Sequence, residues 1–372
     1  MRRTHLSVLA AVVTGGLLLA GCGSDEPETE GAATDGATGG GDTPTVGVIL
    51  PDSASSARWE TADRRFLQEA FDAAGVEADI QNAEGDTAKF QTIADGMINA
   101  GVDALLIVNL DSETGGAVIG RAASAGIPTI DYDRLTLGGG AEYYVSFDNV
   151  AVGTAIGEGL VTCLQDDGVT EGDVVLLNGS PTDNNATLFK QGYEEAITGA
   201  GYGVAEDQSV PDWDNTQAGT LFEQIFTSTG GEFVGVAAAN DGLGGAVISV
   251  LDRNGLAGEV PVTGQDATDE GLQRVLLGTQ CMTVYKAIKK EADAAAELAV
   301  LLANGDTAGA DALASGSVED TESGEQVKSV LLEPQPIFAD TVKDVVADGF
   351  TTAENLCTTD ELQAACEEYG VE

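Results

Sequence analysis

Residues 104–134 read ALLIVNLDSETGGAVIGRAASAGIPTIDYDR. Two short apolar runs, 104–109 and 128–132, flank the stretch 114–125, whose apolar residues recur at helical spacing. A strand, an amphipathic helix and a second strand in this order are typical of a parallel strand–helix–strand unit. The stretch therefore predicts a parallel sheet with helices packed on it.

The same unit recurs on both sides of this stretch. Strands are predicted at 46–50, 78–81, 104–109, 128–132, 174–178, 234–239 and 262–264. Helices are predicted at 59–74, 88–100, 114–125, 188–199, 216–227, 244–254 and 270–277. Because about 330 residues exceed what one hydrophobic core usually serves, we expect an α/β fold of two doubly wound parallel-sheet lobes.

The two lobes are predicted to be discontinuous in sequence. Segments 143–145, 282–286 and 330–334 lie between the two series of strands and are expected to cross from one lobe to the other. They would form a three-strand hinge. The N-terminal lobe is predicted to comprise 44–145 plus 286–330, and the C-terminal lobe 146–285 plus 331–372.

The N-terminus is typical of an exported protein. Basic residues at its start (Arg2, Arg3 and His5) precede an apolar run over 6–20, which predicts a signal peptide over 1–21. The run is shorter than the ~20 residues a membrane-spanning helix needs. It ends in Leu-Ala-Gly-Cys at 19–22, which resembles a bacterial lipobox. We therefore expect lipidation of Cys22 and anchoring on the outer face of the cell membrane, with the export route left open.

Residues 22–43 are predicted to form a disordered acidic tether behind the lipid, because they contain almost nothing that could be buried. The whole chain is also acidic, with 16 Lys plus Arg against 62 Asp plus Glu and a net charge of −46. This charge argues against binding to nucleic acid or to anionic lipid.

Composition also excludes several chemistries. The one histidine, His5, lies inside the predicted signal peptide. The mature chain therefore lacks a Ser-His-Asp or Cys-His arrangement and a histidine-ligated metal site, and we expect neither an enzyme nor a metal or cofactor.

Four cysteines follow Cys22, and their even number in an exported chain predicts disulfides. Four cysteines allow three connectivities. The close spacing of Cys357 and Cys366 favours their pairing, which leaves Cys163 with Cys281.

Polar and aromatic residues follow the predicted strands. In parallel sheets, ligands bind beyond the carboxyl ends of the strands, so these loops are the candidate binding surface. Planar carboxylate, amide and guanidinium groups can bridge neighbouring hydroxyls, and aromatic faces can cover the C–H patches of a sugar ring. Both tryptophans of the chain, Trp59 and Trp213, fall in such loops. The loops therefore predict binding of a polyol, although Asp148, Asp183 and Asp241 could equally serve as helix caps.

An ordered set of motifs resembles the D-xylose-binding proteins of ABC sugar importers. The motifs are RW at 58–59, YDR at 132–134, SFDN at 146–149, GSPTDNNA at 179–186, ND at 240–241, GQDA at 264–267 and MTVYK at 282–286. The resemblance implies a type I periplasmic binding protein fold and a monomeric protein that binds a monosaccharide, with D-xylose favoured, and presents it to an importer permease. The small polar loop 51–57 and the tail 351–372 depart from the family pattern.

The resemblance also implies a set of ligand contacts. They are Arg58, Trp59, Asp133, Arg134, Asn149, Asn185, Trp213, Asn240, Asp266 and Lys286, with Phe147, Asp183, Asn184 and Asp241 as secondary candidates. Three other readings stay open at this point. The ligand could be another sugar such as ribose, arabinose, galactose or inositol; the protein could be a sugar sensor for a membrane receptor; or a pair of aspartates could hydrolyse a glycoside.

Overall fold

The computed structural model describes residues 43–372, which form one compact unit. The predicted signal peptide over 1–21, the predicted lipidation site Cys22 and the predicted tether as far as residue 42 lie outside the described residues. Within 43–372, none of the helices is both long enough and apolar enough to span a membrane.

Strands and helices alternate along most of this unit. The strands are β1 (Thr45–Leu50), β2 (Glu77–Asn82), β3 (Ala104–Ile107), β4 (Thr129–Tyr132), β5 (Tyr143–Phe147), β6 (Asp173–Asn178), β7 (Gly203–Ser209), β8 (Gly235–Ala238), β9 (Thr283–Tyr285), β10 (Gly316–Glu319), β11 (Gln326–Leu332) and β12 (Gln335–Ile337). The helices are α1 (Arg64–Ala74), α2 (Thr87–Ala100), α3 (Ser112–Ala125), α4 (Asn149–Asp166), α5 (Asn184–Gly199), α6 (Asn215–Thr229), α7 (Asp241–Arg253), α8 (Asp269–Leu276), α9 (Ile288–Ala303), α10 (Thr307–Leu313), α11 (Val342–Ala347), α12 (Ala353–Leu356) and α13 (Asp360–Tyr369). Short 3-10 turns lie at Pro211–Trp213 and Ala339–Thr341, and a π-helical turn at Trp59–Asp63 leads into α1.

The first sheet has seven strands in the order β10-β11-β5-β4-β3-β1-β2. All neighbouring strands are parallel except β10 and β11. Every residue of β3, β4 and β5 is buried, as expected for strands that helices cover on both faces. Strand order reverses between β1 and β3, and this reversal opens a crevice at the carboxyl ends of the strands.

The second sheet repeats this arrangement with fewer strands. It has the order β7-β6-β8, all parallel, and a single bridge joins Val236 of β8 to Val262. Together the two sheets confirm the predicted α/β class with parallel-sheet layers. The strand predicted at 262–264 is reduced to that one bridge.

Some elements were not predicted. Strand β7 has the polar sequence GVAEDQS and is only partly buried, because it lies at the edge of the second sheet. It therefore lacks the apolar run by which the other strands were recognised. Helix α4, directly after β5, was also not predicted.

The chain leaves or enters the first sheet near each of the three segments that were expected to cross. Strand β5 pairs with β4 and β11 along its length, so 143–145 belongs to the first sheet and the chain leaves that sheet after Phe147. Strand β11 likewise stays in the first sheet as far as Leu332. The return crossing follows β9, which pairs antiparallel with β12. The lobe boundaries at 145, 285 and 330 stay predictions.

Polar side chains at the strand ends start the next helices. Asp148, Asp183 and Asn240 accept hydrogen bonds from backbone N–H groups in the first turns of α4, α5 and α7. Each such cap stabilises the fold by about 1 kcal/mol and fixes where the chain enters its helix. Capping therefore sets the direction of the strand-end loops.

The cysteines lie in the two favoured pairs. The Cα atoms are 6.5 Å apart for Cys163 and Cys281 and 6.2 Å apart for Cys357 and Cys366, within the range of disulfides. The first pair joins α4 to the segment before β9, and the second closes the C-terminal tail.

Candidate functional site

A narrow cavity of about 30 Å³ lies between loops that follow strands of the two sheets. Loops after β1 and β4 form one side, which we call the N-terminal wall. Its lining residues are Ser55, Ser56, Arg58, Trp59, Asp133 and Arg134. Loops after β6, β8 and Val262, the start of α5 and the 3-10 turn before α6 form the other side, the C-terminal wall. Its lining residues are Asp183, Asn185, Phe189, Trp213, Asn240, Gln265 and Asp266.

Lys286, on the crossing after β9, completes the lining. Its Nζ lies 3.2 Å from Asp133 Oδ2 and 3.7 Å from Asp266 Oδ1, so it contacts a carboxylate of each wall. Arg58 Nη1 donates to the same Asp133 Oδ2 at 2.8 Å. Burial acts to raise the pKa of Asp133, but Lys286, Arg58 and Arg134 together hold this pKa well below its ordinary value. Asp133 is therefore ionised at any physiological pH.

Trp59 presents its ring among the cations of the N-terminal wall. The guanidinium carbons of Arg58 and Arg134 lie 4.4 and 5.5 Å from its ring centroid, within cation–π range. Its indole N–H donates to Ser55 Oγ at 3.1 Å. These contacts with Arg58, Arg134 and Ser55 fix the position of the indole ring.

Trp213 holds the corresponding place in the C-terminal wall. Its Nε1 donates to Asp183 Oδ2 at 3.1 Å, and its ring meets Phe189 edge-on at 6.5 Å between centroids. A Cβ atom at Gly179 would lie 2.1 Å from the ring, so only glycine allows the indole to pack on this backbone.

The two walls contact each other directly. Ser56 Oγ donates to Asp266 Oδ2 at 2.8 Å, and Asn185 Nδ2 donates to the carbonyl oxygen of Asp133 at 2.9 Å. Asn240 Nδ2 donates to the carbonyl of Ser55 at 3.2 Å.

An ion pair also joins the walls. Arg134 Nε lies 2.9 Å from Asp183 Oδ2, outside the angle of a hydrogen bond, and Arg134 Nη1 donates to the Asn109 carbonyl at 3.2 Å. The cavity is thus enclosed by side chains of both sheets.

Three residues that line this cavity have an unusual backbone conformation. Asp133, Trp213 and Asp266 have φ values of 62°, 56° and 96°, in the region that residues other than glycine, asparagine and aspartate rarely adopt. Aspartate tolerates this region, whereas Trp213 is strained there, and such strain is often found at functional sites. Three lining residues in this state identify the cavity as the candidate site.

Most of the predicted contacts come together here. The predicted residues that line the cavity are Arg58, Trp59, Asp133, Arg134, Asp183, Asn185, Trp213, Asn240, Asp266 and Lys286. Those that the structure places elsewhere are Phe147, Asn149, Asn184 and Asp241.

Asn149 lies behind the lining. It is buried at the start of α4, and its Nδ2 donates to Asn185 Oδ1 at 2.9 Å and to the Tyr144 hydroxyl at 3.0 Å. Phe147 is buried beneath Lys286, whose Nζ is 5.8 Å from the ring centroid. Asn184 is the first residue of α5. These positions suit support of the wall rather than contact with a ligand.

Asp241 is buried behind the C-terminal wall. It accepts hydrogen bonds from Thr268 N at 2.9 Å, Gln280 Nε2 at 2.7 Å and Thr283 Oγ1 at 2.8 Å. Burial raises its pKa to about 6. Asp241 therefore fixes the loop that carries Asp266, and the carboxylate that pairs with Arg134 is that of Asp183.

Four lining residues were not predicted. They are Ser55, Ser56, Phe189 and Gln265. Ser55, Ser56 and Gln265 belong to strand-end loops already identified, and their position in those loops was the available signal. Phe189 lies in the second turn of α5, where it has the ordinary spacing of a core residue.

The arrangement suits binding of hydroxyl groups. Carboxylate, amide, guanidinium and ammonium groups face one small space between two aromatic side chains, which provides paired donors and acceptors together with apolar faces. Lys286, Arg58 and Arg134 favour the ionised form of Asp133, which therefore is not prepared to act as a general acid. Among residues 43–372, no cluster of histidine, cysteine, aspartate or glutamate is arranged to hold a metal ion.

Comparison with known proteins adds a sequence family. The model of the periplasmic binding protein domain matches residues 46–307. The D-xylose-binding periplasmic protein of Escherichia coli is 34% identical over 310 residues, which cover 82% of this chain and 90% of that protein. The multiple sugar-binding periplasmic protein SbpA of Azospirillum brasilense is 30% identical over 329 residues, 82% of this chain and 89% of that protein.

One solved structure shares the fold of this chain. A carbohydrate transporter solute-binding protein from Chloroflexus aurantiacus, solved in complex with D-glucose, superposes with a TM-score of 0.72 at 25% identity. The match covers 84% of this chain and 98% of that one.

Proposed function

Since the chain belongs to the periplasmic binding protein family, we propose that it binds a monosaccharide, D-xylose above all, and delivers it to an ABC importer. The family relationship agrees with the motif resemblance found in the sequence and with the predicted type I fold. Its relatives are exported solute-binding proteins, so this protein is a binding protein of the extracytoplasmic space and not an enzyme.

The observation that carries the proposal is the cavity between the two walls. Its lining side chains are almost all planar hydrogen-bonding groups or aromatic rings, and most are less than a tenth exposed. Buried groups of this kind bind a ligand that completes their hydrogen bonds and reject one that leaves them unpaired. A small neutral polyol meets that requirement.

D-xylose is the ligand that the relationship favours. The E. coli relative named for this sugar is 34% identical over nine-tenths of its length. The cavity also carries nearly balanced charges, because Arg58, Arg134 and Lys286 each contact a carboxylate. An uncharged pentose preserves this balance, whereas a sugar phosphate would oppose Asp133 and Asp266.

Closure of two lobes is the proposed mechanism. The lobes are those predicted from the sequence, 44–145 plus 286–330 and 146–285 plus 331–372. Each wall alone can contact only part of a sugar's hydroxyl shell, so the ligand binds the closed form better and shifts the hinge equilibrium toward it. The contacts between Ser56 and Asp266 and between Asn185 and Asp133 support this mechanism, since they join the two walls.

Lipid anchoring at Cys22 is part of the proposal and rests on the sequence alone. A tether over 22–43 would let a monomeric protein stay near its permease at high effective concentration. Metabolic labelling with a fatty-acid analogue, compared between the native chain and a Cys22→Ser variant, would test the anchor.

Calorimetric titration of the mature protein with a panel of sugars tests the ligand. We expect D-xylose to bind most tightly, with L-arabinose, D-ribose and D-glucose at least tenfold weaker, because one misplaced hydroxyl leaves a buried partner unpaired. Tighter binding of another sugar would show that this sugar, and not D-xylose, is the ligand, while the sugar-binding function would stand. Absence of binding by every sugar would overturn the proposed function.

A broader sugar range is the second candidate. The Azospirillum relative is named for binding multiple sugars, and the small polar loop 51–57 leaves room beside Ser55 and Ser56. Affinities within threefold of each other across the panel would favour this reading. A sensor role would be separated from transport by whether deletion of the protein stops sugar uptake.

A further inference from the structure

Arg58 is held by two carboxylates that lie behind the N-terminal wall, outside the lining of the cavity. Asp63 accepts from Nε at 2.8 Å and from Nη2 at 2.7 Å, a two-pronged pairing. Glu291 Oε2 accepts from the same Nη2 at 2.9 Å. The side chains of Asp63 and Glu291 are fully buried, and that of Arg58 is 2% exposed. This leaves Nη1 as the edge that faces Asp133 and the cavity.

The π-helical turn Trp59–Asp63 explains how Asp63 reaches Arg58. The two residues are five positions apart. A π-helix pairs positions i and i+5, whereas a regular α-helix turns such residues away from each other. Turns of this kind are frequent at functional sites, and this one places the Arg58 guanidinium at the candidate site.

Asp63 and Glu291 connect Arg58 to two other parts of the site. The Tyr132 hydroxyl donates to Asp63 Oδ1 at 2.7 Å, and Tyr132 directly precedes Asp133. Glu291 lies in the first turn of α9, just after the crossing that carries Lys286. Arg58 is therefore fixed to the strand that presents Asp133 and to the helix that follows Lys286.

The charges around Arg58 define what Glu291 contributes. Burial raises the pKa of Glu291 well above its ordinary value, and the neighbouring Asp133 and Asp63 raise it further against the opposing effect of Arg58 and Lys286. Its Oε1 is buried without a hydrogen-bond partner in the described part of the chain. Its structural contribution is thus an acceptor oxygen at a fixed place, which a neutral glutamine can also supply.

We propose that Asp63 and Glu291 are positioning residues of the sugar site, which fix Arg58 so that its Nη1 edge meets both Asp133 and the ligand. The inference rests on the proposed sugar-binding function. Neither residue lines the cavity, so neither would contact a ligand there directly. Loss of either contact should loosen Arg58 and weaken the hydroxyl contacts made by Arg58 and Asp133 together.

Variants at Glu291 test this role by calorimetry with D-xylose. Glu291→Met keeps the length of the side chain but removes the acceptor, and we expect it to weaken binding at least tenfold. Glu291→Gln keeps an acceptor and should weaken binding no more than threefold. Glu297→Gln, an exposed position on the same helix, is the matched control. Glu291→Ala is measured alongside, so that the test holds if either apolar variant folds by circular dichroism.

A double-mutant cycle separates positioning from general support of the fold. In an Arg58→Lys background, which cannot make the two-pronged pairing, Glu291→Met should weaken binding less than twofold. An equal loss in both backgrounds would overturn the proposal. If the Arg58→Lys background binds too weakly to measure, the Met and Gln variants decide: equal losses in both overturn it.

These outcomes differ from failure of the proposed function. If the unmodified protein binds no sugar, the function itself is overturned. If it binds D-xylose and a folded Glu291→Met variant binds equally well, only the positioning role is overturned.

Discussion

The two walls of the cavity hold their side chains by different means. In the N-terminal wall, long-range ion pairs hold Arg58, whose partners Asp133 and Glu291 are 75 and 233 positions away in sequence. In the C-terminal wall, Asp183 and Asn240 are held locally, because each caps the helix that it starts. Arg58 in the first wall therefore depends on distant parts of the chain, whereas Asp183 and Asn240 in the second wall are also held by the helices that they cap.

This difference predicts unequal consequences of mutation. A change in the N-terminal wall leaves a buried charge without its partner, which affects both stability and binding. Loss of a cap in the C-terminal wall costs about 1 kcal/mol of stability, less than a buried charge left without its partner.

Asp133→Asn should have the largest effect. Asparagine tolerates the φ of 62° found here, so the substitution removes charge without changing the backbone. With Arg58 and Lys286 less compensated, we expect the free energy of unfolding to fall by about 3 kcal/mol. Urea denaturation measures this change. Asp212→Asn, an exposed position with a φ of 55°, is the control and should change stability by less than about 0.5 kcal/mol. If Asp133→Asn is as stable as the native protein, the expected difference between the two walls is wrong.

Arg134→Ala and Asp266→Ala, one from each wall, should both remove measurable binding of D-xylose from a folded protein. Each residue supplies a charged group at the cavity, and loss of such a contact costs about 2 to 3 kcal/mol or more when its buried partner stays behind. Calorimetry on samples with native circular dichroism checks this. Because Asp266 has a φ of 96°, Asp266→Asn is the companion variant that keeps the backbone. Native affinity for D-xylose in either alanine variant would show that binding does not require the residue replaced in that wall.

Trp213→Phe should have a smaller effect, weakening binding about tenfold through loss of aromatic area and of the hydrogen bond to Asp183. Because the chain has only two tryptophans, the variant should also lose most of any ligand-induced change in fluorescence. Trp59→Phe is the matched variant in the other wall. If the emission of Trp213→Phe still responds fully, Trp59 is the ring that reports on the ligand.

One buried acid behind each wall should affect how stability depends on pH. Asp131 accepts hydrogen bonds from the backbone N–H and hydroxyl of Thr136 at 2.6 and 2.7 Å, and burial raises its pKa to about 7. In the folded protein it therefore keeps a proton that the unfolded chain loses near pH 4. Its stabilising contribution is complete below that pH and is lost as the pH rises toward 7.

Asp131→Asn should remove this dependence and reduce the loss of stability between pH 5 and 8 by about 2 kcal/mol. Urea denaturation at the two pH values measures it. Asp241→Asn, behind the C-terminal wall, should act in the same sense but less, since the pKa of Asp241 is raised only to about 6. If the free energy of unfolding falls as much between pH 5 and 8 in Asp131→Asn as in the native protein, folding does not raise the pKa of the Asp131 carboxyl.

The sequence predicted the parts of the molecule that local patterns determine. Buried strands such as β3 and β4 are continuous apolar runs, and the loops after them carry the polar residues that line the cavity. Strand β7 was not predicted, because an edge strand needs no continuous apolar run. The four cysteines lie in the pairs that spacing favoured.

The supports of the N-terminal wall could not be predicted in the same way. Glu291 is one of 62 acidic residues, and nothing in its neighbourhood in the sequence distinguishes it from the exposed Glu297 on the same helix. The contact depends on how α9 packs against the start of α1. Asp241 is the opposite case. Its place beside Asn240 suggested a ligand contact, but its hydrogen bonds with Gln280 and Thr283 lie in the interior.

The unusual backbone of Asp133 and Asp266 also limits how this cleft could be redesigned for a new ligand. At both positions the chain itself admits only asparagine, aspartate or glycine without strain, so a library that varies them freely would consist mostly of damaged proteins. Asn185 and Phe189, on the regular helix α5, carry no such restriction. New specificity is therefore accessible first through the C-terminal wall, with these two aspartates kept as a fixed frame around the changing positions.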